Sequence, residues 1–310
     1  MNKHSVGIDT SNYTTSAARY DGERVLENRK LLLPVKPGEK GLRQSDAVFH
    51  HVKQLPQVLE PILEMGPAGV VGVSITPRSE MGSYMPCFLV GKGFACTLGA
   101  AWGVGVKFFS HQQGHIAAAL YSAGKLELLD RKFLAFHVSG GTTEALLVRP
   151  DPQGMPEVEL VAQSLDLKAG QAVDRVGVML GMGFPCGPEL ERAALAWDRP
   201  VKARAYMKGR DCSLSGVENQ CRKLWEEGHP REEVARTCLE MVLAALDAMC
   251  AGLLEDLGPL PVVFSGGVCS NSILRERLTE KYGGAFAAPE FSADNGAGAA
   301  ILAWRRRFLP

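Results

Sequence analysis

The residues best suited to chemistry in this chain are two imidazoles four positions apart, in His111-Gln112-Gln113-Gly114-His115. On a helix that spacing puts both rings on one face, with about 5–6 Å between Cβ atoms, a separation suited to one shared metal ion. The pair opens a helix directly after a strand, where a cleft is expected. A third donor is required. Asp294, in FSADNGAGAA at the start of the last helix, is the best placed carboxylate. Two neutral imidazoles and a carboxylate suit iron or zinc better than magnesium. Gln112 stands where the H-E-x-x-H zinc peptidases carry their glutamate base, so a peptidase mechanism has no support.

Three further segments end strands in turns that can hold phosphates: GIDTSNYTTS (7–16), HVSGGTTEALLV (137–148) and VVFSGGVCSNSIL (262–274). Small residues let backbone N–H groups approach an anion, and hydroxyls add hydrogen bonds. Asp9 is the kind of acid that holds a metal or water near a phosphate. Asn271 has two readings, the N-cap of the following helix or a group facing a nucleotide. Three such turns in one chain resemble the phosphate and adenosine loops of the actin, hexokinase and Hsp70 ATPases.

Hydrophobic periodicity and breakers give the elements that must position these residues. Strands are expected at 6–8, 14–20 and 24–33, and a helix over 41–65 that Pro56 and Pro61 should break or kink. A strand at 70–75, a small-residue helix at 82–103, a strand at 107–110 and a helix from 111 to about 121 complete a first round. A second round has strands at 133–138, 145–148 and 158–162, then helices at 171–181, 187–196, 217–226 and 231–256. A buried strand at 261–264, a helix at 271–281 and a final helix at 295–308 close the chain. The repeated plan predicts an α/β fold of two related lobes. Lobe I is 1–130, to which the last helix (292–310) returns, and lobe II is 131–291.

Composition narrows the class. The 310 residues carry 34 Lys+Arg and 34 Asp+Glu, a formal charge of +0, which argues against nucleic-acid binding through bulk charge alone. Hydrophobic residues at 46% and charged residues at 22% fit a folded globule. No run approaches the ~20 apolar residues of a membrane span. The N-terminus runs straight into a strand-like segment, so a cytoplasmic address is expected. The eight cysteines form no C-x-x-C pair and match no zinc template. They read as small buried hydrophobes.

Taken in order, GIDTS, HQQGH, VSGGTTE, KAGQAVDRVGVMLGMGFPCGPEL, SLSG, SGGVCSN and ADNGAGAA resemble the TsaD family, the tRNA N6-threonylcarbamoyl-adenosine synthases once called O-sialoglycoprotein endopeptidases. The resemblance covers nearly the whole chain. It implies the two-lobed actin-like ATPase (ASKHA) fold, with duplicated mixed-sheet lobes and helices on both faces. It also implies one divalent metal, iron or zinc, and a bound adenylate or ATP/ADP in the cleft. By that likeness His111, His115 and Asp294 are the metal ligands. Ser139, Gly140, Gly141 and Thr142 form the phosphate loop, while Gly170, Asp174 and Gly187 hold the ribose and adenine side. Asn271 is another nucleotide contact, and Asp9 and Ser139 are the catalytic candidates. The implied reaction moves a threonylcarbamoyl group from its adenylate to N6 of an adenosine in tRNA. The alternatives are a carbamoyl transferase with another acceptor and a non-catalytic nucleotide-binding partner of a true synthase.

The chain departs from the family pattern at four places. Asn12, Tyr13, Thr14 and Thr15 replace a cysteine and acidic residues, and ITPRSEMGSYMP (75–86) replaces a Gly-Pro-Gly turn. Thr142 stands where histidine is usual, and Cys186 replaces a glycine. These changes point to an altered acyl or acceptor pocket. Arg199, Lys202, Arg204, Lys208 and Arg210 form a basic cluster suited to a tRNA backbone, and Arg305-Arg306-Arg307 closes the last helix. tRNA, a smaller related subunit with a P-loop ATPase, or a second copy are the expected partners, with no membrane. The helices at 82–103 and 111–122 form the expected pairing surface.

Overall fold

The computed structural model describes residues 3–11, 13–35, 42–152 and 154–309. Asn12 and Gly41, which the sequence reading used, lie outside them. In chain order the elements begin with β1 (Ser5–Ser11), β2 (Thr14–Tyr20), β3 (Val25–Leu32), α1 (Gln44–Leu63), β4 (Val70–Thr76), α2 (Phe88–Trp102), β5 (Val106–Ser110) and α3 (His111–Ser122). Next come β6 (Phe133–Val138), β7 (Thr143–Arg149), β8 (Glu157–Gln163), α4 (Ala169–Met179), α5 (Gly187–Leu195), β9 (Tyr206–Lys208) and β10 (Asp211–Ser213). The chain ends with α6 (Ser215–Glu226), α7 (Arg231–Leu257), β11 (Val262–Ser265), α8 (Ser272–Tyr282), β12 (Ala285–Phe286), the single turn α9 (Pro289–Ser292) and α10 (Ala297–Phe308). Two compact units result. The first is 1–130, 150–158 and 290–310; the second is 131–149 and 159–289.

The first unit has a five-stranded sheet in the order β3-β2-β1-β4-β5, antiparallel on the β3 side and parallel from β1 to β5. Val6, Ile8, Ala17, Val71 and Val73 of the sheet pack with Leu55, Leu59 and Ile62 of α1 and Val90 and Ala95 of α2. On the other face α10 lies almost on the strands. A Cβ on Gly7 would meet Gly296 O at 2.2 Å, and one on Gly72 would meet Ala299 O at 2.2 Å. Fully buried Arg19 closes the end of α1, donating to the carbonyls of Ile62, Gly66 and Pro67. A guanidinium is well suited to the carbonyls that close a helix C-terminus.

The second unit repeats the plan, with strand order β12-β11-β6-β7-β8 and the same antiparallel-then-parallel pairing about β6. Its core joins Leu134, Phe136 and Leu147 to α4, α5, α6, α7 and α8. Cys186, Cys212, Cys221, Cys238, Cys250 and Cys269 are part of that core, and all eight cysteines are free thiols.

Four local expectations change. Helix α1 runs unbroken through Pro56 and Pro61. The carbonyls those prolines leave unpaired belong to Val52 and Gln57, both on the exposed side, where water can satisfy them. Helix α2 begins at Phe88 rather than 82, because Pro86 disfavours helical backbone at the preceding residue. The basic connection contains a hairpin, β9–β10, turned at Gly209 with φ of +63°. Finally, α7 is long and apolar enough to cross a membrane, contrary to the expectation that no segment is; 67% of its apolar stretch is buried in the protein, as befits a core helix.

Candidate functional site

Strand β5 delivers the chain to α3 through a reciprocal cap. Ser110 Oγ accepts from Gln113 N–H, and Gln113 Oε1 accepts from Ser110 N–H at 2.8 Å. The S-x-x-Q spacing was the signal for this capping box, and the sequence reading missed it. The cap sets the first turn of α3, so His111 and His115 leave it in a defined direction. The lead-in to α10 is set similarly. Asn295 Nδ2 donates to Ala293 O at 2.7 Å and its Oδ1 accepts from Ala297 N–H, bracketing Asp294.

These elements bring the three predicted ligands together. His111 Nε2 and His115 Nε2 are 2.8 Å apart, His115 Nε2 is 3.1 Å from Asp294 Oδ1, and His111 Nε2 is 3.4 Å from the same oxygen. An ion with bonds of about 2.0–2.1 Å holds tetrahedral ligand atoms about 3.3 Å apart, so this triangle is the size a metal requires. Among the described residues this is the one such cluster of His, Cys, Asp or Glu.

Asp9 lies behind the ligands. It is buried at the end of β1, where its Oδ2 is 2.7 Å from His111 Nδ1 and its Oδ1 accepts from Ser11 N–H at 2.8 Å. A proton on Nδ1 leaves the Nε2 lone pair turned toward the cluster, the usual arrangement of a carboxylate supporting a metal-binding histidine. Burial pulls the His111 imidazolium down, but the charges of Asp9 and Asp294 and their hydrogen bonds overcome it and push its pKa up to about 10. Burial works against ionised Asp294 too, yet its hydrogen bonds to His111 and His115 hold it well below the usual carboxylate range. The cluster fits a divalent cation in size, donor type and charge. Asp9→Asn should weaken zinc binding by about 10- to 100-fold without removing a ligand, measured by competition with a chromogenic chelator.

The second unit holds the other predicted residues. Gly140, Gly170, Asp174, Gly187 and Asn271 line one cavity of about 250 Å³. Ser139, Gly141 and Thr142 belong to the loop beside it. Ser139 Oγ accepts from the Gly141 and Thr142 N–H groups, so its hydroxyl shapes the loop. Helix α4 starts against this loop, and only glycine permits it: a Cβ on Gly170 would lie 2.6 Å from Gly140 N and 2.9 Å from Ser139 C. Asp174 Oδ1 accepts from Cys186 N–H at 2.9 Å. Of the two readings of Asn271, the N-cap is observed, its Oδ1 accepting from Leu274 N–H, while the residue also lines the cavity. The sequence reading missed Glu191, which lines the cavity and accepts from Ser272 N–H at 2.7 Å. Its position four residues after Gly187, on the same face of α5, was the available signal. Gly170→Ala should displace the loop and destabilise the protein by about 1–3 kcal/mol in chemical denaturation, because backbone rather than a yielding side chain blocks the new Cβ.

The remaining histidines have other surroundings. His51 is fully buried with Nδ1 2.8 Å from Thr15 Oγ1, and His137 Nδ1 lies 3.1 Å from Ser265 Oγ.

The family model described as TsaD, tRNA N6-adenosine threonylcarbamoyltransferase, matches residues 41–301. The chain belongs to the TsaD family. Membership makes it one of a family of transferases. Solved structures show the same duplicated fold at low identity. Full-length HypF in its phosphate- and nucleotide-bound form aligns with TM-score 0.61 and 13% identity over 97% of this chain and 55% of HypF. The chain thus spans about half the length of that protein. The Acidaminococcus fermentans (R)-2-hydroxyglutaryl-CoA dehydratase component A aligns with TM-score 0.54 and 16% identity over 98% of both chains. A ROK hexokinase from Thermus thermophilus aligns with TM-score 0.52 and 19% identity over 97% of this chain and 98% of its own. The fold of this TsaD-family chain is therefore the actin-like ATPase fold. Of its departures from the family pattern, Cys186 is buried in the second unit's core, packed so closely on Gly177 that a Cβ there would meet its own Cβ at 2.2 Å.

Proposed function

We propose that this chain is a metal-dependent transferase that moves a threonylcarbamoyl group from its adenylate to N6 of an adenosine in tRNA. The observation that carries the reading is the His111, His115 and Asp294 triangle, oriented by Asp9, in a chain whose family model bears that activity. Zinc or iron(II) held by His111, His115 and Asp294 would supply Lewis-acid chemistry when bound. Asp9 is a positioning residue, since both of its oxygens are engaged and it is almost wholly buried.

In the second unit the cavity takes the nucleoside part of the adenylate. The carboxylates of Asp174 and Glu191 accept from ribose hydroxyls, and the glycine walls at 140, 170 and 187 allow close approach of the base. The loop that Ser139 pre-shapes presents the Gly140 amide to phosphate. In the reaction the acceptor nitrogen attacks the carbamoyl carbon and the bond from that carbon to the phosphate oxygen breaks. The adenylate leaves with the electron pair, and the nitrogen loses one proton to solvent water. Fixed donors facing the departing phosphate lower the barrier without reorganising.

The test is mass spectrometry of tRNA nucleosides from the host with and without this gene. Loss of N6-threonylcarbamoyl-adenosine is the expected result. An unchanged level in the deletion strain refutes the tRNA acceptor and directs the search to another amine.

A further inference from the structure

The strap from Trp197 to Lys208 has a composition that the transfer site does not use. Most basic side chains around it are neutralised. Arg210 pairs with Asp256 at 2.6 Å, Arg222 with Glu218 at 2.7 Å and Arg236 with Glu240 at 2.7 Å. Among the described residues no such ion pair reaches Arg199, Lys202, Arg204 or Lys208, four exposed cations on one stretch of a chain whose net charge is zero. Two of them are stacked. The Arg199 guanidinium lies 5.5 Å from the Trp197 ring centre, and that of Arg204 5.8 Å from the centre of Tyr206. Tyr206 is 43% exposed, and its ring rests on Gly216, where a Cβ would come within 3.0 Å of it.

A third observation marks a binding place. Trp197, Asp198, Arg199, Arg236, Glu240 and Arg277 line a recess of about 410 Å³.

We propose that the strap 197–208 is the docking surface for a single-stranded RNA segment. Its phosphates would meet Arg199, Lys202, Arg204 and Lys208, and an exposed base would stack on Tyr206. Alternating guanidinium and aromatic groups suit unpaired bases with a charged backbone, whereas duplex offers no free base faces. The inference rests on the reading of RNA as the acceptor, and it adds where that RNA is held.

The test measures binding of a fluorescent RNA hairpin with an adenosine in its loop, against a DNA duplex of equal charge, over a range of salt. Full-length protein is compared with R199E/K202E/R204E and with Y206A. The triple variant should bind the hairpin far more weakly and flatten the salt slope by about two units, at about 0.7 per lost phosphate contact. Y206A keeps the net charge and should lose about 5- to 150-fold on the hairpin, with no change on the duplex. Wild-type protein that shows no salt-dependent hairpin binding, or variants that bind as wild type does, overturn the proposal. Strap-dependent binding with the loop adenosine left unmodified supports the strap and refutes the acceptor reading instead.

Discussion

His111→Ala should bind zinc about 10²- to 10³-fold more weakly than wild type and should show no transfer activity. Apparent zinc-site free energies of about 10–16 kcal/mol, shared among roughly four donors, leave about 2.5–4 kcal/mol for each. The same residue makes binding depend on pH. In the metal-free protein the His111 imidazolium is stabilised by Asp9 and Asp294, with its pKa pushed up to about 10. A metal must displace that proton, so wild-type affinity should rise about tenfold per pH unit between 7 and 9 and level off near 10. The stability effect of the protonated ring runs the other way. Because the folded value is raised, its contribution is full below the ordinary 6.5 and is lost as pH climbs toward 10. Zinc titrations of both proteins across this range check the claim. Equal affinities, or a wild-type affinity that falls with pH, would refute it.

Gly298→Ala should disable the site from a position that touches no ligand. Helices α3 and α10 cross at Gly114 and Gly298, and a Cβ on Gly298 would lie 1.8 Å from Gly114 O and 2.5 Å from Gly114 C. Backbone cannot move aside as the end of a side chain does, so the helices must separate. Overpacking of this kind costs about 1–3 kcal/mol, and a backbone obstacle puts this case at the upper end or beyond. His115 follows Gly114 directly and Asp294 leads into α10, so separation opens the ligand triangle. Metal sites tolerate only about 0.2 Å in their distances, so zinc affinity should fall by more than about 100-fold. Gly93→Ala is the control. Gly93 is exposed on α2 with nothing near its Cβ position, and the change should leave zinc binding intact while stabilising the protein by about 0.5–1 kcal/mol. Thermal melts and zinc titrations on both variants decide the point. A Gly298→Ala protein that melts and binds zinc as wild type does would show that the crossing does not hold the site.

Much of this could be read along the chain because its causes are local. Alternation and 3.6-residue periodicity placed most strands and helices within a few residues. The four-residue spacing put His111 and His115 on one helical face, and Ser-Gly-Gly after apolar strands marked the loops at 139–142 and 265–267. Where local reading erred, a longer-range cause prevailed. Exposure of Val52 and Gln57 to solvent lets α1 pass through two prolines, and Gly209 turns a hairpin inside a basic stretch.

Only the tertiary structure decided which distant groups meet. Asp9 lies 102 residues before His111, and Asp294 lies 179 after His115. No periodicity links such positions; the packing of α10 on β1 and α3 does. That packing depends on Gly7, Gly72, Gly296 and Gly298, whose common property is the absence of a side chain, which a sequence displays but does not explain. The same holds for Glu191 in the cavity of the second unit and for residues 150–158, whose Pro156 carbonyl accepts from Gln113 in the cap of α3. Residue types and spacing determine what chemistry is available, because donor atoms and turn preferences are properties of short segments. Which of those donors share a site is set by close approach of backbones, and that is a property of the whole fold.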